Sequence, residues 1–363
     1  MSEYVSPTQK VGLEPGSLVY TGVELTKNVE IRLYSFSEQG LQDRPLTLSD
    51  FPLPLNAGGM YWLSIQGLQD VKLIEEIGKN FSIDSLILED IVNVHQRPKF
   101  EERSDSAHVV LKEITYDGPK ESLEFSQVCL LIKNNYVISF KEGHSQIFSK
   151  LIERLRTPKN KNKRQSVEKL FHLLLDCVID HYFLAISALE DRLFQIESGL
   201  ERKPNKKIFY SKSRQKIFQQ LFNIHDIRKE LNQILRHITP LRELILNLIQ
   251  SEYFEEDLRP YLSDVRDHIF QINDSIKALT DQANSMMEMT LSLSSFKLND
   301  IIRTLTVFTA FFMPMTFLTS VYGMNFKYMP FLDHPYGLAI LSIIMLIILI
   351  VLVIFVRRKN WIE

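Results

Sequence analysis

The sequence predicts an α/β domain followed by long helices and two C-terminal membrane-spanning helices. Three observations predict it. Short alternating and β-branched runs mixed with helical patterns occupy the chain up to about residue 157. From Ser166 onward, apolar residues recur at helical spacing almost without a break. Two runs near the C-terminus carry no charged side chain: 304–326, about 23 residues, and 336–356, about 21 residues. A bilayer core takes roughly 20 apolar residues in a helix, so both runs read as spans, and no other stretch does.

Residues 1–16 hold two prolines and two glycines with few large apolar side chains, which predicts a disordered tail. Residues 17–157 predict a cytoplasmic α/β domain. Its strands are expected at Ser17–Thr21, Glu30–Phe36, Met60–Ile65, His108–Thr115, Ser126–Ile132 and Tyr136–Lys141. Gln39-Gly40 and Phe51-Pro52-Leu53-Pro54 mark loops, and Asn134-Asn135 suits a tight hairpin. Helices are expected over Gln69–Asn80 and from Ser82, as N-cap, through Val92.

Residues 158–259 predict a cytoplasmic helical region. A basic connection through Arg164 leads into a helix from Ser166 to about Arg202. Another runs from about Asn205 toward His237, where Pro240 interrupts or kinks it. From Pro260, residues Val265, Ile269, Ile272, Ile276, Leu279, Ala283 and Met286 step by fours and threes, a heptad seam. The seam suits a neighbouring helix of the same chain and copies of itself equally well. No proline or glycine separates Tyr261 from Met313, so this stalk, 260–303, continues into the first span. At about 1.5 Å per residue it makes a rod on the order of 90 Å. One chain cannot bury such a rod, which favours copies around an axis.

Lys297 and Arg303 precede the first span, and Arg357, Arg358 and Lys359 in the tail 357–363 follow the second. The positive-inside bias places both ends in the cytoplasm and the loop 327–335 outside, in a cell (inner) membrane. Met1-Ser2-Glu3-Tyr4 lacks a basic-then-apolar start, so no secretory signal peptide is expected.

Composition narrows the function classes. Lys plus Arg is 42 against 44 for Asp plus Glu, which gives no basic excess for nucleic acid. Cys129 and Cys177 lie in apolar contexts and read as buried free thiols. Zinc-site spacing, a Gly-rich phosphate loop and a supported Ser/His/Asp arrangement are all lacking. The spans exclude a soluble enzyme, and no cofactor is expected.

Two spans per chain cannot enclose a water-filled path, whereas several copies with the first span on the axis can. Asn299, Ile302, Leu305, Thr309, Met313 and Thr316 fall on one face at steps of three and four, with Asn325 beyond. The Asn and Thr side chains offer neutral oxygens, and the Ile, Leu and Met side chains offer apolar rings. The same face would also serve as a packing surface between helices. Neither span holds a carboxylate, which excludes a fixed charged site within it. Mg²⁺ gives up its water reluctantly, so neutral oxygens that hydrogen-bond the hydrated ion suit it. Pro314 frees the Ala310 carbonyl, and Gly323 is expected to let the backbone turn at the span end. On the stalk, Asp264 and Asp267 are three apart and share a face. Taken alone, they and Glu89-Asp90 read as solvated surface charge.

The first span closes on Tyr322-Gly323-Met324-Asn325-Phe326, the loop continues Lys327-Tyr328-Met329-Pro330, and the tail reads Arg357-Arg358-Lys359-Asn360-Trp361. Joined to two spans, a short outer loop and a large N-terminal region, this set resembles the CorA family of divalent-cation channels. The stretch from Leu88-Glu89-Asp90 to Arg97-Pro98-Lys99 resembles that family's cytoplasmic domain. The resemblance implies a funnel-shaped homopentameric channel in the bilayer. It implies Mg²⁺ as both transported and regulatory ion, with Co²⁺ and Ni²⁺ as further passengers. It implies that Gly323, Met324 and Asn325 form the selectivity motif. It also implies that divalent ions at Glu89, Asp90, Asp264 and Asp267 bridge neighbouring subunits and hold the pore closed when internal Mg²⁺ suffices. Asp180 and His181 lie in a region the family also uses. One departure is Phe331, where members often carry an acidic residue; the nearest carboxylate is Asp333. Two other readings are a zinc-transporting relative and a membrane-anchored cation sensor that does not conduct.

Overall fold

The computed structural model describes residues 12–22, 28–37, 40–53, 59–143, 145–157, 166–201, 210–324, 330 and 335–358. The chain divides into two compact units, residues 1–202 with 222–284, and residues 203–221 with 285–363.

The first unit is built on a seven-stranded sheet: β1 (Glu30–Ser37), β2 (Gly40–Leu46), β3 (Met60–Gln66), β4 (Lys99–Glu102), β5 (Ser106–Asp117), β6 (Ser122–Lys133) and β7 (Tyr136–Lys141). Their order is β2-β1-β3-β7-β6-β5-β4. β3 and β7 pair in parallel, and the other pairs are antiparallel. Alternation along each strand sends successive side chains to opposite faces. On one face Leu63, Ile65, Leu131, Ile138 and Phe140 are buried with Ile74, Ile77, Ile87 and Ile91 of α1 (Val71–Asn80) and α2 (Ser85–Val92). On the other, Trp62 stacks on Tyr34 at 4.4 Å, meets Phe148 edge-on, and donates to Ser139 Oγ at 2.9 Å. That face is covered by α3 (Ser149–Arg156) and α4 (Val167–Glu201), with Tyr182 donating its hydroxyl to the Lys112 carbonyl. Helices on both faces explain why the central strands are near-continuous apolar runs.

Several expected boundaries move. Ser17–Thr21 is not a strand. It lies against the end of α2, where Thr21 N donates to the Val92 carbonyl and Val94 N donates to Thr21 Oγ1 at 3.1 Å. The expected tail up to residue 16 is anchored at its end, because Gly16 N donates to Glu89 Oε2 at 2.8 Å; residues 1–11 lie outside the described residues. Ser82 does not cap α2. It has a left-handed φ of 49° after α1, and Asp84 caps by accepting from Leu86 N at 2.8 Å. Gly40, expected in a loop, begins β2.

α5 (Tyr210–Gln250) runs through Pro240 as one helix. The proline removes one backbone hydrogen bond, but Ile234, Ile238, Leu241 and Ile245 on both sides are at most 1% exposed and hold the two halves in line. α6 (Arg259–Tyr322) is a single helix of 64 residues. Its heptad seam corrects the reading that copies cover it: Val265, Ile269, Ile272, Ile276 and Ala283 are at most 2% exposed within one chain. Edge contacts of His268 with Phe183, a cation–π contact of Arg242 with Phe270, and a hydrogen bond from Gln282 to Glu197 show that α4 and α5 supply the neighbours.

In the second unit, α6 from residue 285 and α7 (Gly337–Arg358) present mostly exposed apolar side chains. α4, which the sequence did not mark as a span, is also long and apolar enough to cross a membrane. Burial separates the three. In α4 56% of the apolar window is buried in the protein, against 6% in α6 and in α7. An apolar helix buried on its own protein needs no lipid; among the described residues the other two are left largely uncovered.

Candidate functional site

The six residues of the expected pore face lie on α6 and within about 120° of arc at 3.6 residues per turn. Asn299, Ile302, Leu305, Thr309, Met313 and Thr316 are all exposed in the single chain; Leu305 and Met313 are each 65% exposed. The Thr309 hydroxyl donates to the Leu305 carbonyl at 2.9 Å. Thr306, nearly in line, donates to the Ile302 carbonyl at 2.8 Å. A hydroxyl whose proton is directed back along the helix presents only lone pairs outward. Such a face accepts hydrogen bonds, which is what the water shell of a cation donates. Ser320, one turn beyond Thr316, lies on the same face and lines a shallow groove with Thr309, Met313 and Thr316. Sequence reasoning passed over it, although its i+4 spacing from Thr316 carries the signal.

Gly323 follows α6 directly and donates its amide to the Thr319 carbonyl at 2.9 Å. Its φ is not left-handed, and the turn expected here runs into residues 325–329, outside the described residues. The constraint is close approach: a Cβ there would stand 3.2 Å from the Thr319 oxygen. Met324 is exposed and donates its amide to the Val321 carbonyl at 3.2 Å. Asn325 lies outside the described residues, as do Phe331 and Asp333. Pro314 is inside α6 without ending it.

The cytoplasmic carboxylates fall into two groups within the first unit. On α2, Glu89 receives the Gly16 amide, while Asp90 reaches Lys99 of β4. Asp90 Oδ2 lies 2.5 Å from Lys99 Nζ, and Oδ1 accepts from Gln96 Nε2 at 3.0 Å. Burial raises the Asp90 carboxyl, but the nearby His108 and Lys99 side chains outweigh it and hold the group below its ordinary range. Lys99 on β4 also reaches Glu101, at 2.8 Å.

The second group joins α4 to α6. His268 Nδ1 lies 3.7 Å from Asp176 and 3.9 Å from Asp180, and its Nε2 lies 3.9 Å from Asp264. Burial, then the Asp180 charge, pushes the Asp176 carboxyl up. Asp264 lies 3.9 Å from Nε2 of His268, four residues on, and Asp267 binds its neighbour Arg266 at 2.9 Å. His181 does not join the group; it donates Nδ1 to the Cys177 carbonyl at 2.8 Å. Asp176 and His268 were missed because only the packing of α4 on α6 brings them together. The thiols of Cys129 and Cys177 are free, and burial pushes both up in pKa, Cys177 to about 11.

Comparison with known proteins places this geometry in context. A family model described as CorA-like Mg²⁺ transporter protein matches residues 57–358. The cobalt/magnesium transport protein CorA of Thermotoga maritima is 31% identical over 356 residues, 97% of this chain and 98% of that one. Among solved structures, the complete CorA magnesium transporter of Methanocaldococcus jannaschii superposes with a TM-score of 0.76 at 20% identity, over 93% of this chain and 100% of that one. The full-length CmaX protein superposes with a TM-score of 0.70 at 16% identity, over 93% and 99%.

Proposed function

The chain belongs to the CorA-like Mg²⁺ transporter family, and on that premise we propose that it is a membrane channel passing Mg²⁺, with Co²⁺ and Ni²⁺ as further cargo. The observation that carries the reading is the exposed face of α6, with acceptor oxygens and apolar side chains, on a helix only 6% buried over its apolar window. Lipid and further copies of the chain are what cover such a helix. Five copies with α6 on the axis would turn the single face into rings. The rings at Asn299, Thr309 and Thr316 accept from metal-bound water. The rings at Ile302, Leu305 and Met313 narrow the path and close it by dewetting. Gly323, Met324 and Asn325 form the outer mouth, where the Asn325 carboxamide oxygen accepts from the hydrated ion. No dehydration is required, which suits an ion that releases water slowly.

Closure follows from the cytoplasmic carboxylates. In this reading, Asp90 and Glu89 of one subunit face Asp264 and Asp267 of the next. Bringing them together without a cation is unfavourable because like charges repel. A bound divalent ion removes that cost and selects the symmetric closed state by its higher affinity for it. When internal Mg²⁺ falls, the sites empty, the subunits separate and the rings widen. Uptake of Mg²⁺ by the purified protein in liposomes, with Co²⁺, Ni²⁺ and Zn²⁺ as competitors, tests the reading. Uptake of Zn²⁺ without Mg²⁺ would make it a zinc transporter, and no uptake of any ion would make it a sensor.

A further inference from the structure

We propose that each chain carries its own transition-metal site formed by Asp90, Glu101 and His108, held by the Lys99 ammonium in the metal-free state. The sheet builds it. Glu101 of β4 and His108 of β5 are direct cross-strand partners. Lys99 stands two residues before Glu101, on the same face. α2 sets Asp90 above them. His108 Nε2 lies 3.8 Å from Asp90 Oδ2 and 4.0 Å from Glu101 Oε2. Ligands held about 2.1 Å from one ion stand roughly 3.0–4.2 Å apart, so these separations are already those of a coordination shell.

The imidazole is the independent observation. His108 is 0% exposed, and neither of its ring nitrogens has a hydrogen-bond partner among the described residues. A buried polar group left unpaired is costly, and such a group in a native fold calls for a reason. A ligand supplied from outside is one. The carboxylates already converge on a cation: Lys99 Nζ lies between them at 2.5 and 2.8 Å. The ammonium satisfies both oxygens but leaves the imidazole unused. A divalent ion uses all three. Lys99 is free to give way, since its side chain is 26% exposed, and Glu101, at 45%, can adjust its rotamer.

Ligand type decides which ion. Mg²⁺ takes oxygen and keeps its water, so the imidazole adds nothing to its hold on this site. Ni²⁺, Co²⁺ and Zn²⁺ bind imidazole well and follow the order of divalent affinities. The site shares Asp90 with the gating reading but draws its other ligands from the same chain. A transition ion here would occupy that carboxylate and withdraw it from the subunit boundary.

The test is Ni²⁺ titration of the purified full-length protein in detergent with excess Mg²⁺, followed by calorimetry. We expect one Ni²⁺ per chain. His108→Leu and His108→Gln should each lower the affinity at least tenfold while keeping the wild-type circular dichroism spectrum and size-exclusion profile, which certify the fold. Lys99→Gln should raise the affinity about tenfold, because the competing ammonium is gone. No Ni²⁺ binding in excess Mg²⁺, or equal binding in the wild type and both His108 variants, overturns the site. Loss of Ni²⁺ in Asp264→Asn with retention in His108→Leu assigns the ion to the subunit boundary and also overturns it. The gating reading is judged separately, by whether Asp264→Asn loses its response to Mg²⁺.

Discussion

The Lys99 ammonium lies 2.5 Å from the Asp90 carboxylate, an ion pair made within one chain by strand β4 and helix α2. A regulatory ion that recruits Asp90 across a subunit boundary must therefore displace this lysine. Lys99→Gln should shut the channel at several-fold lower internal Mg²⁺, because one competitor is removed. Asp90→Asn and Asp264→Asn should do the opposite. They should keep currents at millimolar internal Mg²⁺ and lose Mg²⁺-dependent protection against protease. Unchanged Mg²⁺ sensitivity in all three would make these carboxylates ordinary surface charge.

Leu305 is 65% exposed in the single chain, on the face that would form the rings. Leu305→Asn replaces an apolar ring with one that holds water. Patch recordings should then show a leak at Mg²⁺ concentrations that close the wild type, at least about tenfold above background. A variant that closes normally would place Leu305 against lipid or a neighbouring helix rather than the path.

Asn325→Ala should abolish Mg²⁺ uptake into liposomes while leaving the oligomer intact on size-exclusion chromatography. The reason is loss of a ring of acceptor oxygens at the outer mouth. Uptake at a comparable rate would show that the side chain does not meet the ion.

By the positive-inside bias, the basic residues beside the spans predict that both chain ends are cytoplasmic. A cysteine replacing Asp333 should be labelled by an impermeant thiol reagent added outside intact cells, and one replacing Glu363 should not. The reverse pattern would invert the pore.

His237 on α5 lies against Phe125 of β6, 5.2 Å between ring centres. Burial, with the Lys112 and Arg236 charges, pushes its imidazole down to about 4. An unfolded histidine titrates at about 6.5. Because the folded pKa is the lower one, the unfolded chain takes up the proton first. Stability is therefore full above about pH 6.5 and falls as pH drops toward 4. The loss is on the order of 1–2 kcal/mol after allowance for partial exposure. His237→Gln should show a smaller loss than the wild type across this window in thermal unfolding of the full-length protein. Parallel pH curves for the two would rule the titration out.

The strands that end up in the middle of the sheet are legible from composition. β7 runs Tyr136–Lys141 as expected, and β3 differs from expectation by one residue. Both are apolar on two faces, so burial and β-branching agree. β2, Gly40-Leu-Gln-Asp-Arg-Pro-Leu46, and β4, Lys99-Phe-Glu-Glu102, were not legible. They are edge strands rich in polar side chains, and only backbone pairing with β1 and β5 makes them strands. The Glu101–His108 pairing was hidden for the same reason.

What the sequence determined by itself is every feature that depends on local chemistry: the two uncharged spans, the basic flanks, the continuous α6 and the oxygen-bearing face along it. What only the tertiary structure decided is what each face meets. The seam from Val265 to Ala283 has a period that any helix could satisfy, and it is α4 and α5 of the same chain that cover it. The same holds for the carboxylates. The sequence puts Asp264 and Asp267 on one face of α6, but only the packing of α4 shows that Asp176, Asp180 and His268 gather beside Asp264. A pattern of residues records a preference for burial or charge along one element. The identity of the partner comes from distances between elements far apart in the chain, which are set when the whole domain packs.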